Sequence, residues 1–134
     1  DIKRTRELIA ISKPLSFTFH RAFDCVQNPK ESLQQLINLK VDRILTSGLQ
    51  EKAKNGINLL IELQEIAKNK LIILPGSGIQ QKNVLHFKKV GFKEIHASAS
   101  KITNNETSIF FGNTKQTVSS VENIEAILKI LKDA

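Results

Sequence analysis

The feature that most constrains this chain is a pattern that occurs four times. A short apolar run stops in a cluster of His, Arg, Ser, Thr or Gly, and a helical pattern follows. The endings are Thr18-Phe19-His20-Arg21-Ala22-Phe23-Asp24, Arg43-Ile44-Leu45-Thr46-Ser47-Gly48, Ile72-Ile73-Leu74-Pro75-Gly76-Ser77-Gly78-Ile79 and Glu94-Ile95-His96-Ala97-Ser98. Strands that alternate with helices predict a parallel sheet. Polar groups gathered at the carboxyl ends of the strands predict a ligand face there, as in a (β/α)8 barrel. Strands are expected near 15–20, 42–47, 71–75 and 94–98, in sequential order with right-handed crossovers. A closed barrel needs eight strands. The expected class is therefore α/β, the second half of a (β/α)8 TIM barrel (strands five to eight), with residues 1–134 forming one part of a single domain.

The helices between these runs carry their own signals. Ile2 to Ser12 reads as a helix with Leu8, Ile9 and Ile11 in an apolar stripe, ended by Pro14, which cannot donate a helical hydrogen bond. Asn28-Pro29-Lys30-Glu31 combines a capping residue, a proline suited to the first helical position, and a glutamate able to reach back. Ile57, Leu60, Ile61 and Ile66 mark one face of a third helix. Gln80 to Val90 reads as a fourth, closed by Gly91 in a left-handed cap. Ser98 to Thr117 is polar and turn-rich apart from Ile109-Phe110-Phe111, and no regular element is expected there. Ser119 with Glu122 predicts a capping box for a last helix whose stripe is Val121, Ile124, Ile127, Leu128 and Leu131. The chain opens on Asp1 and contains no Met, and its first residues already read as helix. The expectation is a piece of a longer protein.

Charge narrows the partners. Lys and Arg number 20 against 13 Asp and Glu, a formal net charge of +7. This favours anionic ligands. The basic residues are scattered over predicted helix faces, and Tyr and Trp are absent, so no specific nucleic-acid surface is expected. The single cysteine, Cys25, excludes an internal disulfide and a CxxC metal site, which fits a reducing compartment. No run approaches a membrane helix in length. A cytoplasmic protein without a membrane partner is expected.

The four segments together resemble the CutC family, named for copper homeostasis. Thr18 to Asp24 is the most distinctive segment, because no general structural rule brings those seven residues together. Arg43 to Gly48, Asn55-Gly56 with its Leu-rich helix, and Glu94 to Ser98 match further family segments. The family's three glycines after the seventh strand are interrupted here by Ser77 in Gly76-Ser77-Gly78. The resemblance implies a cytoplasmic (β/α)8 barrel associated with copper tolerance or trafficking, and often a homo-oligomer.

Candidate chemistry follows from the strand ends. His20, Arg21 and Asp24 are candidate catalytic residues: an imidazole that titrates near neutrality, and a guanidinium suited to a carboxylate or phosphate. An Arg21–Asp24 ion pair bracing the loop is the competing structural role. Thr46, Ser47, Gly48, Gly76, Ser77, Gly78, His96 and Ser98 are candidate ligand-binding residues, the glycines allowing close approach of an anion to backbone N–H groups. Copper is implied by the resemblance alone. Its candidate ligands are His20, His96 and Cys25, although His20 and His96 belong to strands on opposite sides of a closed barrel, and Cys25 reads as a buried helix-start residue. Two functions compete: copper binding, trafficking or tolerance, and an enzyme acting on a small anionic or phosphorylated metabolite.

Overall fold

The computed structural model describes residues 1–108 and 112–133, with side chains described outside 104–115. Five helices and two sheets follow one another as α1 (Ile2–Ser12), β1 (Thr18–Phe19), a 3₁₀ turn (Arg21–Cys25), α2 (Pro29–Asn38), β2 (Arg43–Thr46), α3 (Ile57–Ala67), β3 (Ile72–Pro75), α4 (Gln81–Lys89), β4 (Ser100–Ser108), β5 (Gly112–Ser119) and α5 (Val121–Asp133). The Ile109-Phe110-Phe111 cluster lies outside the described residues.

The first sheet is parallel and sequential. Thr18 pairs with Arg43 and Phe19 with Ile44, and Arg43 to Thr46 pair in turn with Ile72 to Pro75. The alternation of a strand sends Phe19, Ile44 and Ile73 to one face, where they pack with Leu33, Leu60, Leu63 and Phe23 in the core. Leu33, Ile44, Leu60, Leu63 and Phe23 are completely inaccessible to solvent. Arg43, Leu45, Ile72 and Leu74 project from the other face and stay only half-buried. In α3 the buried residues are Leu60, Leu63 and Ala67, so the packed stripe lies one position round from the face read off Ile57 and Ile61.

Three expectations need correction. The first strand is two residues long rather than spanning 15–20. Ahead of it, the Phe17 N–H donates to the Asp42 carboxylate at 2.7 Å instead of entering a ladder, and Leu15 is exposed. The 94–98 run forms one parallel bridge, His96 with Gly76, instead of a strand. As the outermost segment it has a neighbour on one side only, which leaves half the usual ladder to hold it. The Arg43 guanidinium reaches across β3 to Glu94 with two bonds, at 2.7 and 3.1 Å, and fixes the start of this segment from β2.

The third correction is the stretch expected to be irregular. Ser100–Ser108 and Gly112–Ser119 pair antiparallel as β4 and β5, with a bulge between Ile102 and Asn104. Their sequence is mostly polar, so no apolar alternation marks them. The cap of α5 also moves by one residue. Ser120, not Ser119, accepts from the Asn123 N–H and bonds to the Glu122 carboxylate. Only Ile127 of the α5 stripe is buried, while Val121, Ile124 and Leu128 are 42–65% exposed. The α2 start is as its sequence reads: Asn28 accepts from the Glu31 N–H, though Glu31 answers to the Asn28 side-chain amide rather than to its backbone.

Candidate functional site

His20 opens the 3₁₀ turn. Its Nδ1 accepts from the Ala22 N–H at 2.9 Å, which caps the turn formed by the next five residues, Arg21–Cys25. Phe23 enters the core, while Arg21 and Asp24 point toward the end of β2. Asp24 is the hub. Its carboxylate accepts from Thr46 Oγ1 at 2.5 Å, from the Ser47 N–H at 3.0 Å, from the Leu49 N–H at 3.2 Å and from Arg21 Nε at 2.7 Å. Ser47 Oγ lies 3.0 Å from the same carboxylate and also reaches the Gln50 carbonyl, and its single proton serves one of them at a time. Burial alone pushes the Asp24 carboxyl up. The hydrogen bonds from Thr46, Arg21, Leu49 and Ser47 outweigh it and hold the group below its ordinary value. Asp24 is thus an ionised anchor.

Arg21 is held along one edge. Nε donates to Asp24, and Nη2 donates to Ser47 Oγ at 2.9 Å. The ion pair and the ligand-facing role are therefore compatible, because the same residue also lines a cavity. The loop that carries Ser47 closes tightly on the chain ahead of α3. A Cβ added at Gly56 would lie 2.1 Å from the Ser47 carbonyl oxygen, and one at Gly48, with φ of +70°, 2.4 Å from the Gly56 oxygen. Thr46 Oγ1 in turn accepts from the Gly48 N–H at 3.0 Å.

The end of β3 supplies the next wall. Gly76 gives room to Leu45 and His96: a Cβ there would sit 2.5 Å from Leu45 Cδ1 and 3.4 Å from His96 Cβ. Ser77 adopts a positive φ of 83° and donates to the Glu51 carbonyl at 2.7 Å. The turn leads into α4, whose first residues close around a reciprocal Gln80–Asn83 cap. The amides of Gln81 and Lys82, in its first turn, have no intrahelical partner.

These elements enclose a cavity of about 600 Å³ at the carboxyl ends of the strands. Of the sequence-derived candidates, Arg21, Ser77, Gly78, His96 and Ser98 line it together. Asp24, Thr46 and Ser47 stand behind Arg21, with Thr46 and Ser47 fully buried. Gly48 and Gly76 serve backbone and side-chain packing, and His20 caps the turn without being part of the lining. Cys25, expected to be buried, is exposed, since the 3₁₀ turn buries Phe23 and leaves position 25 outward. Sequence reasoning missed Lys82 and Asn123 in the lining. Lys82 had a signal, its place in the first helical turn after Gly76-Ser77-Gly78, whereas Asn123 arrives from α5 and had none. Among the described residues no three His, Cys, Asp or Glu side chains group as a metal site.

The profile of the CutC family matches residues 1–101, from the first helix to the start of the hairpin. The chain belongs to the CutC family. It is 43% identical over 104 residues to a CutC family protein of Pectobacterium atrosepticum and 47% identical over 103 residues to one of Parabacteroides distasonis. These matches cover 78% and 76% of this chain but 41% and 42% of those relatives, so the chain spans less than half their length. The crystal structure of a CutC from Streptococcus agalactiae, named for copper homeostasis, superposes with a TM-score of 0.65 at 30% identity, covering 72% of this chain and 48% of that one. The fold is accordingly α/β with a parallel sheet, of the kind found in that CutC.

Proposed function

We propose that this chain is the carboxyl-terminal half of a CutC-type (β/α)8 barrel, residues 1–134 forming part of one domain, and that it takes part in copper homeostasis through a ligand face at the carboxyl ends of its strands. The observation that carries the reading is the family match over residues 1–101, which spans all three parallel strands and the His96 bridge. The half-buried second face of the sheet, with Arg43, Leu45, Ile72 and Leu74, supports the partial barrel, because closure is what covers that face in such a fold. A cytoplasmic location belongs to the same reading. No helix among the described residues is long and apolar enough to cross a membrane.

Copper in this reading is cargo. The chain's own donors do not fit it as a complete site: one exposed thiol, no Met, and a His20 whose Nδ1 is already engaged by an amide. Copper handling therefore requires ligands from a second copy or from the rest of the barrel, and a homo-oligomer is part of the proposal. The test is growth in graded copper of a strain lacking the gene, with and without the gene restored. Lowered tolerance that the restored gene repairs is the expected result. Unchanged tolerance across the copper series removes the reading.

A further inference from the structure

The cavity at the strand ends carries charge of one sign. Arg21 and Lys82 line it, and none of its lining residues is Asp or Glu. Arg21 is not a loose surface cation, because Asp24 and Ser47 fix one edge of its guanidinium from behind. Asp24 itself stays out of the lining, its oxygens occupied by Thr46, Ser47 and Leu49. A further wall brings the hydroxyls of Ser98 and Ser100, 3.3 Å apart. Leu45 and Ile127 add apolar surface. At about 600 Å³ the cavity falls within the range of roughly 300–1,000 Å³ usual for small-molecule sites.

A planar carboxylate is satisfied by one guanidinium edge. Here the donors come from three separate elements, the 3₁₀ turn, α4 and the 98–100 segment, and outnumber what one carboxylate can accept along a guanidinium edge. That suits a tetrahedral dianion. The geometry points to a phosphate monoester as the ligand of this cavity. Its phosphoryl group is held by Arg21, Lys82 and the Ser98 and Ser100 hydroxyls, and its body rests on Leu45 and Ile127. Asp24 and Ser47 act through Arg21 as positioning residues. The inference rests on the strand ends being the ligand face, and it does not require copper.

Isothermal titration calorimetry of the whole chain with glycerol 3-phosphate tests it, with glycerol and sodium chloride at matched ionic strength as controls. Saturable one-to-one heat with glycerol 3-phosphate and none with the controls is expected. Arg21→Ala weakens binding about tenfold or more, the loss of one charge-assisted bond. Lys82 is exposed and outside the core, so Lys82→Ala weakens binding severalfold while leaving the thermal midpoint unchanged, which keeps the test independent of folding. Heat equal to the glycerol control, or an affinity that Lys82→Ala does not change, overturns the inference. The copper-tolerance assay separates the two readings. Copper dependence without phosphate-ester binding removes only this one, and binding without copper dependence removes only the other.

Discussion

Replacing Asp24 by alanine measures what holds the site together. The substitution removes the acceptor for Thr46 Oγ1, for the Ser47 and Leu49 amides, and for Arg21 Nε. Thr46 and Ser47 are completely buried, so their donors lose a partner where water enters with difficulty. Each stranded buried donor costs about 1–3 kcal/mol. The Asp24 side chain is 9% exposed, which lets some water replace it. The Thr46 hydroxyl and the Ser47 amide together make a total loss of about 3–5 kcal/mol the expected outcome, set against a typical domain stability of about 5–15 kcal/mol. Arg21→Ala is the contrast. Its side chain is 43% exposed, and an ion pair of that exposure contributes about 1 kcal/mol or less. Urea unfolding of the two variants and of the double variant gives the comparison directly. If Arg21→Ala costs as much as Asp24→Ala, the ion pair and not the buried amides holds the loop, and the reasoning fails. The pH dependence adds a second check. Because the folded Asp24 carboxyl lies below its ordinary value, its stabilisation is complete above the ordinary carboxylate range. It is lost as pH falls through that range toward the lowered folded value. Asp24→Ala should flatten the acid limb of the stability curve.

Gly56→Ala places a Cβ 2.1 Å from the Ser47 carbonyl oxygen, a backbone clash no rotamer can relieve; a loss of about 3 kcal/mol or more in chemical unfolding is expected, and a loss below about 1 kcal/mol would show that the loop relaxes freely. Cys25 is exposed and makes no core contact, so Cys25→Ala should change stability by no more than about 0.5 kcal/mol; native-state titration with a thiol reagent should label it fully without unfolding, and a protected thiol would contradict its placement. The isolated chain should sediment as a dimer or larger species, since one face of its sheet is half-buried and Ile11, Leu15, Val121 and Leu128 are exposed; a monomer with a sharp, reversible thermal transition would show that the unit stands alone.

What the sequence made legible depended on whether the element is held by side-chain burial or by backbone pairing. The parallel strands announced themselves because Ile44 and Ile73 must be buried, and burial imposes an apolar run on the sequence. Helix α2 announced its start, since Asn28 and Pro29 act locally. The β4–β5 hairpin pairs through its backbone ladder. Such a ladder accepts almost any residue, so Ser98 to Thr117 read as irregular. The same division separates the site residues. Arg21 and Asp24 stood out as a polar pair at a strand end, and the structure joins them in the network that orients the guanidinium. Asn123 belongs to a helix whose periodicity reports only its apolar stripe, and a stripe states that something covers it without saying what. In α5 that cover is incomplete, because Ile127 is buried while Ile124 and Leu128, one turn before it and next to it, are exposed. A helix whose sequence calls for more burial than the described residues supply offers the surface that the proposed closed barrel, or a second copy, would cover.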